Sequence, residues 1–285
     1  MEMSGKYLVL GAKGQLGTEL TLRLGERALP VDLPDGDITD KYAVQDLLDT
    51  LKPAAVLNAA AFTAVDAAER QPAVCRRVNA AGPLYLAQEC EKRGLPLLHV
   101  STDYVFCGTQ KRAPLTEEDE PVPQGVYAVT KLEGERNIQK THEKHIILRT
   151  CGLYGKLGAN TQGNFVETMR RIGAERRNLR VVNDQFCTPT WVPNLAAAAL
   201  WLLENEKWGL FHVVDSGETT WFDFAKEIFR LCALAVEMTP ISTAEWNAPS
   251  PRPLYSVLDT SKYHVLGGPK MLRWQESLEK YLAQR

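Results

Sequence analysis

Lys6-Tyr-Leu-Val-Leu-Gly-Ala-Lys-Gly-Gln-Leu-Gly17 is the stretch whose reading decides the fold of this 285-residue chain. Residues 6–10 form a short apolar run bounded by glycine, the pattern of a strand buried on both faces. Residues 15–27 follow with Leu16, Leu20 and Leu24 at four-residue spacing, the apolar stripe of a helix. Between them Gly11, Gly14 and Gly17 make a G-x-x-G-x-x-G run, one residue different from the G-x-G-x-x-G dinucleotide fingerprint. Glycines at such a turn let backbone amides approach a pyrophosphate at the helix N-terminus, where the dipole favours negative charge. The strand before and the helix after favour a cofactor loop over a plain turn. About 20 positions further on, a carboxylate usually holds the adenosine ribose, and Asp32, Asp35 and Asp37 fall near that point. Pro34-Asp-Gly reads as a turn, which leaves Asp32 and Asp37. An acid near the 2′-hydroxyl favours NADH, whereas Lys13 would attract the extra phosphate of NADPH, so NADPH or NADH is the expected cofactor.

Outward from this unit, apolar runs at 54–60, 95–101 and 145–150 alternate with helical patterns at 40–51, 72–93 and 127–140. Strands alternating with helices imply right-handed βαβ crossovers. The expected fold is α/β, a Rossmann-like doubly wound parallel sheet with a smaller C-terminal substrate-binding lobe. Residues 1–150 form the dinucleotide-binding domain in this reading and 151–285 mainly the lobe, across a discontinuous boundary. Strand-like 179–182 and 210–214 would extend the sheet, while helices at 222–234 and 271–282 suit the lobe. Residues 155–163 read as a flexible loop before a basic helix, and the prolines of 246–252 exclude a central strand there.

Bulk properties narrow the class. A hydrophobic share of 45% and a charged share of 24% are ordinary for a soluble globular protein, and a net charge of −2 gives no reason to expect nucleic acid as a partner. No apolar run approaches the roughly 18 residues of a membrane span, and the N-terminus lacks the basic-then-apolar layout of a signal peptide. Six scattered cysteines without C-x-x-C spacing read as reduced thiols of a cytoplasmic protein. The five histidines show no metal spacing, so no metal site is expected. The arginines at 170–180 read as a solvated face or an anion-friendly rim, and His99 as a core histidine on a strand.

Two segments carry chemistry. Tyr127 and Lys131 lie four apart in a helical pattern, so the ammonium can sit beside the phenol, lower its pKa and make it a general acid for a carbonyl oxygen. Ser101-Thr-Asp-Tyr-Val-Phe-Cys-Gly108 leaves the strand at 95–101, where a hydroxyl can polarise a substrate carbonyl. Either segment alone is weak. Their order after the glycine loop is the informative feature.

With these segments in place, the chain resembles the extended short-chain dehydrogenase/reductase superfamily and, within it, the dTDP-4-dehydrorhamnose reductase family. The resemblance covers nearly the full length through 14–17, Asn-Ala-Ala-Ala-Phe-Thr-Ala-Val-Asp at 58–66, Ser-Thr-Asp-Tyr-Val-Phe at 101–106, Tyr-x-x-x-Lys at 127–131, Asn-Asp-Gln-Phe-Cys-Thr-Pro-Thr at 183–190, Thr-Thr-Trp at 219–221 and Arg-Pro at 252–253 ahead of Leu258-Asp259. It implies NAD(P)H-dependent reduction of the 4-keto group of a nucleotide-linked 6-deoxyhexose. Tyr127 would protonate the alkoxide, Thr102 would polarise the carbonyl, and Lys131 would tune Tyr127 and bind the nicotinamide ribose. Asp103 would contact the sugar, and Arg252 the nucleotide end of the substrate. Gly14, Gln15 and Leu16 would cradle the pyrophosphate, with Asp37 and Ile38 near the adenine. Ala61, Phe62, Thr63 and Val100 would line the cofactor's path. A homodimer is the assembly the resemblance allows.

The chain departs from the family pattern twice. Gly152 stands where Arg-Thr-Ser-Trp-Val-Tyr has a tryptophan beside the sugar, and Gly125 where an asparagine often precedes the catalytic tyrosine. Other functions compatible with the pattern are a reductase or epimerase of another nucleotide sugar, and a non-catalytic subunit like the regulatory subunit of methionine adenosyltransferase. Tyr104 after Asp103 argues against a dehydratase, which commonly carries Asp-Glu there.

Overall fold

The structure is a computed structural model that describes residues 5–156, 158–159 and 163–284. The expected loop at 155–163 therefore lies partly outside the described residues. The first half runs β1 (Tyr7–Leu10), α1 (Gln15–Leu24), β2 (Ala28–Val31), α2 (Lys41–Leu51), β3 (Ala55–Asn58), α3 (Val65–Ala68), α4 (Pro72–Arg76), α5 (Gly82–Arg93), β4 (Leu97–Val100), α6 (Val126–Thr141) and β5 (His145–Arg149). A π turn at Arg77–Ala81 joins α4 to α5, and a 3-10 turn spans Asp103–Phe106. Beyond these come β6 (Leu153–Tyr154), α7 (Phe165–Glu175), β7 (Asn178–Val182), β8 (Phe186–Cys187), β9 (Thr190–Trp191), α8 (Val192–Glu204), β10 (Gly209–His212), β11 (Thr219–Thr220), α9 (Trp221–Leu231), β12 (Glu237–Ile241), α10 (Thr243–Trp246), α11 (Ser261–Val265) and α12 (Trp274–Leu282).

Six parallel strands form one sheet in the order β10-β5-β4-β3-β1-β2. Every residue of β1 and β3 is buried, as strands covered on both faces require. The stripe Leu16, Leu20 and Leu24 of α1 packs on one face together with Leu195, Ala199 and Leu203 of α8. Val44 and Leu48 of α2, Leu86 and Cys90 of α5, and Ile138 of α6 cover the other. The chain leaves β1 towards β2 on one side and resumes at β3 on the other, so a crevice opens beyond the carboxyl ends of β1 and β3.

Two local readings change. Residues 28–31, Ala-Leu-Pro-Val, form β2, a strand that sequence pattern alone did not reveal; its proline is tolerated because the strand lies at the sheet edge. Residues 179–182 do not extend the main sheet. They belong to β7, which pairs in parallel with β12, and only β10 adds a strand beside β5. The lobe is built from α7, α9 and α12 around Phe224, Ile228, Trp274, Leu278 and Tyr281, with the Phe165 and Phe224 rings stacked at 5.6 Å.

One buried ion pair ties α6 to β5: Arg149 Nη2 donates to Glu135 Oε2 at 2.7 Å, and the two side chains are 3% and 1% exposed. Removing one partner strands the other charge in a dry interior. Arg149→Met is therefore expected to lower unfolding stability by about 3–5 kcal/mol, measured by urea denaturation; a loss below about 1 kcal/mol would contradict this account of the seam.

Candidate active site

Helix α6 starts at Gly125, whose φ of 82° is in the left-handed region, and no side chain of that residue caps the helix. Glu69 takes over the function: its Oε1 accepts the Val126 N–H at 2.9 Å and the Ser250 hydroxyl at 2.9 Å. A Cβ at Gly125 would lie 2.7 Å from Ser250 Oγ and 2.8 Å from Glu69 Oε1, so glycine is what allows this close approach. A carboxylate at a helix N-terminus also complements its dipole.

One residue into α6, Tyr127 is 9% exposed, and its ring meets Tyr104 edge-on at 5.4 Å. Burial raises the phenol above its ordinary pKa, opposed by a hydrogen bond with the Thr102 side chain. Lys131 is 2% exposed; its Nζ donates to the Val100 carbonyl at 2.6 Å and lies 3.4 Å from His99 Nε2. Burial pulls its pKa down to about 8, against the opposing pull of Glu135. The expected depression of Tyr127 by Lys131 is thus not what the structure shows. Desolvation of the phenol dominates, and the lysine nitrogen is committed to the Val100 carbonyl.

Thr102 follows β4 and caps the 3-10 turn, its Oγ1 accepting the Tyr104 N–H and donating to Asp103 Oδ1, each at 3.2 Å. Asp103 is buried, which raises its carboxyl pKa against hydrogen bonds from Ser256, Cys151 and Thr102. The Ser256 hydroxyl donates to Asp103 Oδ2 at 2.6 Å from the far end of the chain. Cys151 also shares a hydrogen bond with Cys187, which together with burial holds its thiol well above the ordinary range.

The glycine loop forms a tight cradle. Gly11 has φ 72°, and a Cβ there would lie 2.7 Å from the Ala60 nitrogen. A Cβ at Gly17 would lie 2.1 Å from the Gly11 carbonyl oxygen, so α1 can approach β1 only with glycine at that position. Helix α1 opens at Gly14 without a side-chain cap, leaving an N-terminus suited to phosphate. Asp32 Oδ2 accepts the Lys13 N–H at 2.8 Å, so this expected ribose contact braces the loop itself, while Lys13 Nζ reaches the Leu33 carbonyl at 3.4 Å. Asp37 accepts the Thr39 N–H at 2.8 Å. Ile38 is buried in the core beside α2 and α5. Asn79, in the π turn, brackets Phe62 by accepting its N–H at 2.8 Å and donating to its carbonyl at 3.1 Å. That places Ala61, Phe62 and the exposed Thr63 at the end of β3, with half-buried Val100 at the end of β4. From the lobe, Asn164 donates to Gln15 Oε1 at 2.9 Å, and Leu16 turns into the core. Cradle, uncapped helix and open loop edges fit a dinucleotide.

At the other rim, Arg252 donates to Asp66 Oδ1 at 2.8 Å and to the Ser250 carbonyl at 2.7 Å, with its guanidinium 5.4 Å from the Trp246 ring centre. Gly152 has φ 55°, and a Cβ there would lie 3.0 Å from Trp221 Cη2. The Trp221 indole therefore borders the position where the family pattern carries a tryptophan. Tyr104, His99, Asn79, Glu69 and Ser256 were not read as site residues. Tyr104 adjoins Thr102 and Asp103 in sequence and His99 adjoins Val100, but the others are linked to the site through space.

Residues 5–285 match the RmlD substrate binding domain family. The chain belongs to this family. It is 40% identical over 283 residues to the dTDP-4-dehydrorhamnose reductase of Streptomyces griseus, covering 96% of this chain and 91% of the relative. Its structure is similar to that of a dTDP-4-dehydrorhamnose reductase from Clostridium acetobutylicum, with a TM-score of 0.93, 40% identity and coverage of 98% and 99% of the two chains. The Bacillus anthracis dTDP-4-dehydrorhamnose reductase, solved in complex with NADP, superposes with a TM-score of 0.94 at 34% identity, covering 99% and 100%. This RmlD family chain is thus a NAD(P)H-dependent reductase of the short-chain dehydrogenase/reductase type.

The cradle gives a direct test. In Gly17→Ala the added methyl forces α1 away from Gly11, and NADPH affinity is expected to fall at least about tenfold, a loss of about 1.4 kcal/mol. Fluorescence titration of the dinucleotide measures it, and unchanged affinity would contradict the cradle.

Proposed function

We propose that this reductase converts a nucleotide-linked 4-keto-6-deoxyhexose to the 4-hydroxy sugar, with dTDP-4-dehydro-6-deoxy-L-mannose as substrate and dTDP-L-rhamnose as product. The observation that carries the reading is the juxtaposition of the Thr102 and Tyr127 side chains at the crevice end of β4, with Lys131 one helical turn behind. The sequence relatives support the choice of substrate.

When bound, the reduced nicotinamide supplies hydride to the carbonyl carbon. The chain's own residues do the rest. Thr102 and Tyr127 lie beside each other at the crevice, and both would donate to the carbonyl oxygen as negative charge develops, Thr102 by turning its O–H away from Asp103. The raised pKa keeps the Tyr127 phenol protonated across the neutral range, the state a general acid needs. Transfer of that proton leaves a phenolate, and the cationic form of Lys131 favours it. Asp103, held by Ser256, presents a hydrogen-bonding carboxyl group for a sugar hydroxyl. Gly14, Gln15 and Leu16 would hold the pyrophosphate, Ala61, Phe62, Thr63 and Val100 would line the nicotinamide's path, and Asp37 and Ile38 would lie near the adenine. Arg252, on the opposite rim, would meet the diphosphate once it leaves Asp66, a contact suited to a guanidinium. The reading extends to a cytoplasmic protein that assembles as a homodimer; light scattering at twice the chain mass is the expected result.

Loss of the phenol removes the acid but leaves the cavity. Tyr127→Phe is expected to lower kcat by about 10²–10⁴ with dTDP-4-dehydro-6-deoxy-L-mannose and NADPH, while dinucleotide affinity stays within about threefold of wild type, a shift under about 1 kcal/mol. Equal turnover in the variant would refute the assigned acid, and absence of turnover by the wild-type protein would refute the substrate.

A further inference from the structure

Behind Lys131 the hydrogen bonds run in one direction. The Ala60 N–H donates to Asn58 Oδ1 at 3.1 Å, which fixes the orientation of that buried amide. Its Nδ2 consequently faces His99 Nδ1 at 3.0 Å as a donor, so Nδ1 is the acceptor. The pairing is built into the sheet, because Asn58 and His99 are register partners on β3 and β4. His99 has no exposure to water, and burial, reinforced by the charge of Lys131, holds its pKa well below the ordinary value. The ring is neutral and carries one proton. With Nδ1 accepting, that proton is on Nε2, 3.4 Å from Lys131 Nζ. An N–H therefore points at the lysine nitrogen. A neutral amine has a lone pair to accept it, whereas an ammonium has none and is opposed by it.

We propose that His99, oriented by Asn58, is a positioning residue whose Nε2–H faces Lys131 and weakens that lysine's hold on its proton. The proposal deepens the reading of Tyr127 and Lys131 as an acid–base pair and rests on it. The groups facing Lys131 are His99 from β4, Cys75 from α4 and Glu135 from α6, with Tyr127 one turn away on the same helix. Burial raises the Cys75 thiol, which keeps it uncharged. Glu135 favours the ammonium, yet its carboxylate is already engaged by Arg149 and by the Ser101 hydroxyl. Of these partners, His99 is the one whose hydrogen-bond polarity opposes the charge. A lysine held in this way yields its proton more readily to a neighbouring phenolate: the N–H bond of Lys131 breaks, the O–H bond of Tyr127 forms, and the amine regains a proton from water.

The test reads the relay without turnover. In cofactor-free protein carrying ¹⁵N-labelled histidine, long-range ¹H–¹⁵N correlations are assigned to His99 by their loss in His99→Gln. The expected tautomer has Nε2 protonated and Nδ1 bare. The Nε2 shift is expected to titrate with a midpoint of about 8, following Lys131, and to lose that titration in Lys131→Met. In Asn58→Asp a carboxylate replaces the amide donor, so Nδ1 takes the proton and Nε2 accepts from the ammonium. The midpoint is then expected to rise by about one pH unit or more. An Nδ1–H tautomer in the wild-type protein overturns the proposal, as does a midpoint unmoved in Asn58→Asp. If Asn58→Asp fails to fold, the wild-type tautomer decides alone. Either failure leaves the reductase reading standing, whereas an active Tyr127→Phe removes that reading and not the tautomer.

Discussion

The inner side of α6 meets the sheet through buried polar groups, and the geometry of the crevice depends on that seam. Lys131 bonds the Val100 carbonyl, Glu135 binds Arg149 and Ser101, and Gly134 is small enough to lie under the Asn79 carbonyl. Apolar packing resists separation but tolerates small slides and rotations. Hydrogen bonds and ion pairs in a dry interior do not, because a misaligned donor or charge keeps its full desolvation cost. The seam therefore fixes both the height and the rotation of the helix. Tyr127 inherits its position from contacts made one and two turns further along.

The lobe reaches each part of the sheet's crevice by a separate contact. Ser256 holds Asp103, Ser250 reaches Glu69 at the start of α6, Arg252 reaches Asp66 on α3, and Asn164 reaches Gln15 beside the glycine loop. Asp103, the start of α6, Asp66 and the glycine loop are each tied to segments after residue 150. A displacement of the lobe would therefore be felt along the whole crevice.

Much of the fold was legible because apolar periodicity reports burial directly. The strand at 6–10, the helix stripe Leu16, Leu20 and Leu24, and the alternation through residue 150 all rest on it. Reading failed where burial and pattern part company. Ala-Leu-Pro-Val at 28–31 is half-covered at an edge and carries a proline, so its pattern does not announce a strand. Residues 179–182 have a strand's composition, but composition does not name a partner, and the partner is β12. In the candidate site, spacing and places at element ends single out Thr102, Tyr127 and Lys131. Asn58 lay inside a quoted segment and His99 was read as a core residue, yet neither showed a direction of hydrogen bonding.

By itself the sequence determined that strands alternate with helices, that glycines stand between the first strand and the first helix, and that a tyrosine and a lysine share a helix face. Those are local properties, set by chain geometry over a few residues. Tertiary structure alone decided the charge state of the groups so arranged. Whether Tyr127 is raised or lowered, which way Lys131 turns, and whether Asp32 is free for a ribose or spent on the Lys13 amide depend on burial and on partners distant in the chain. Desolvation outweighs the proximity that sequence spacing reveals, and it exists only once the core has closed.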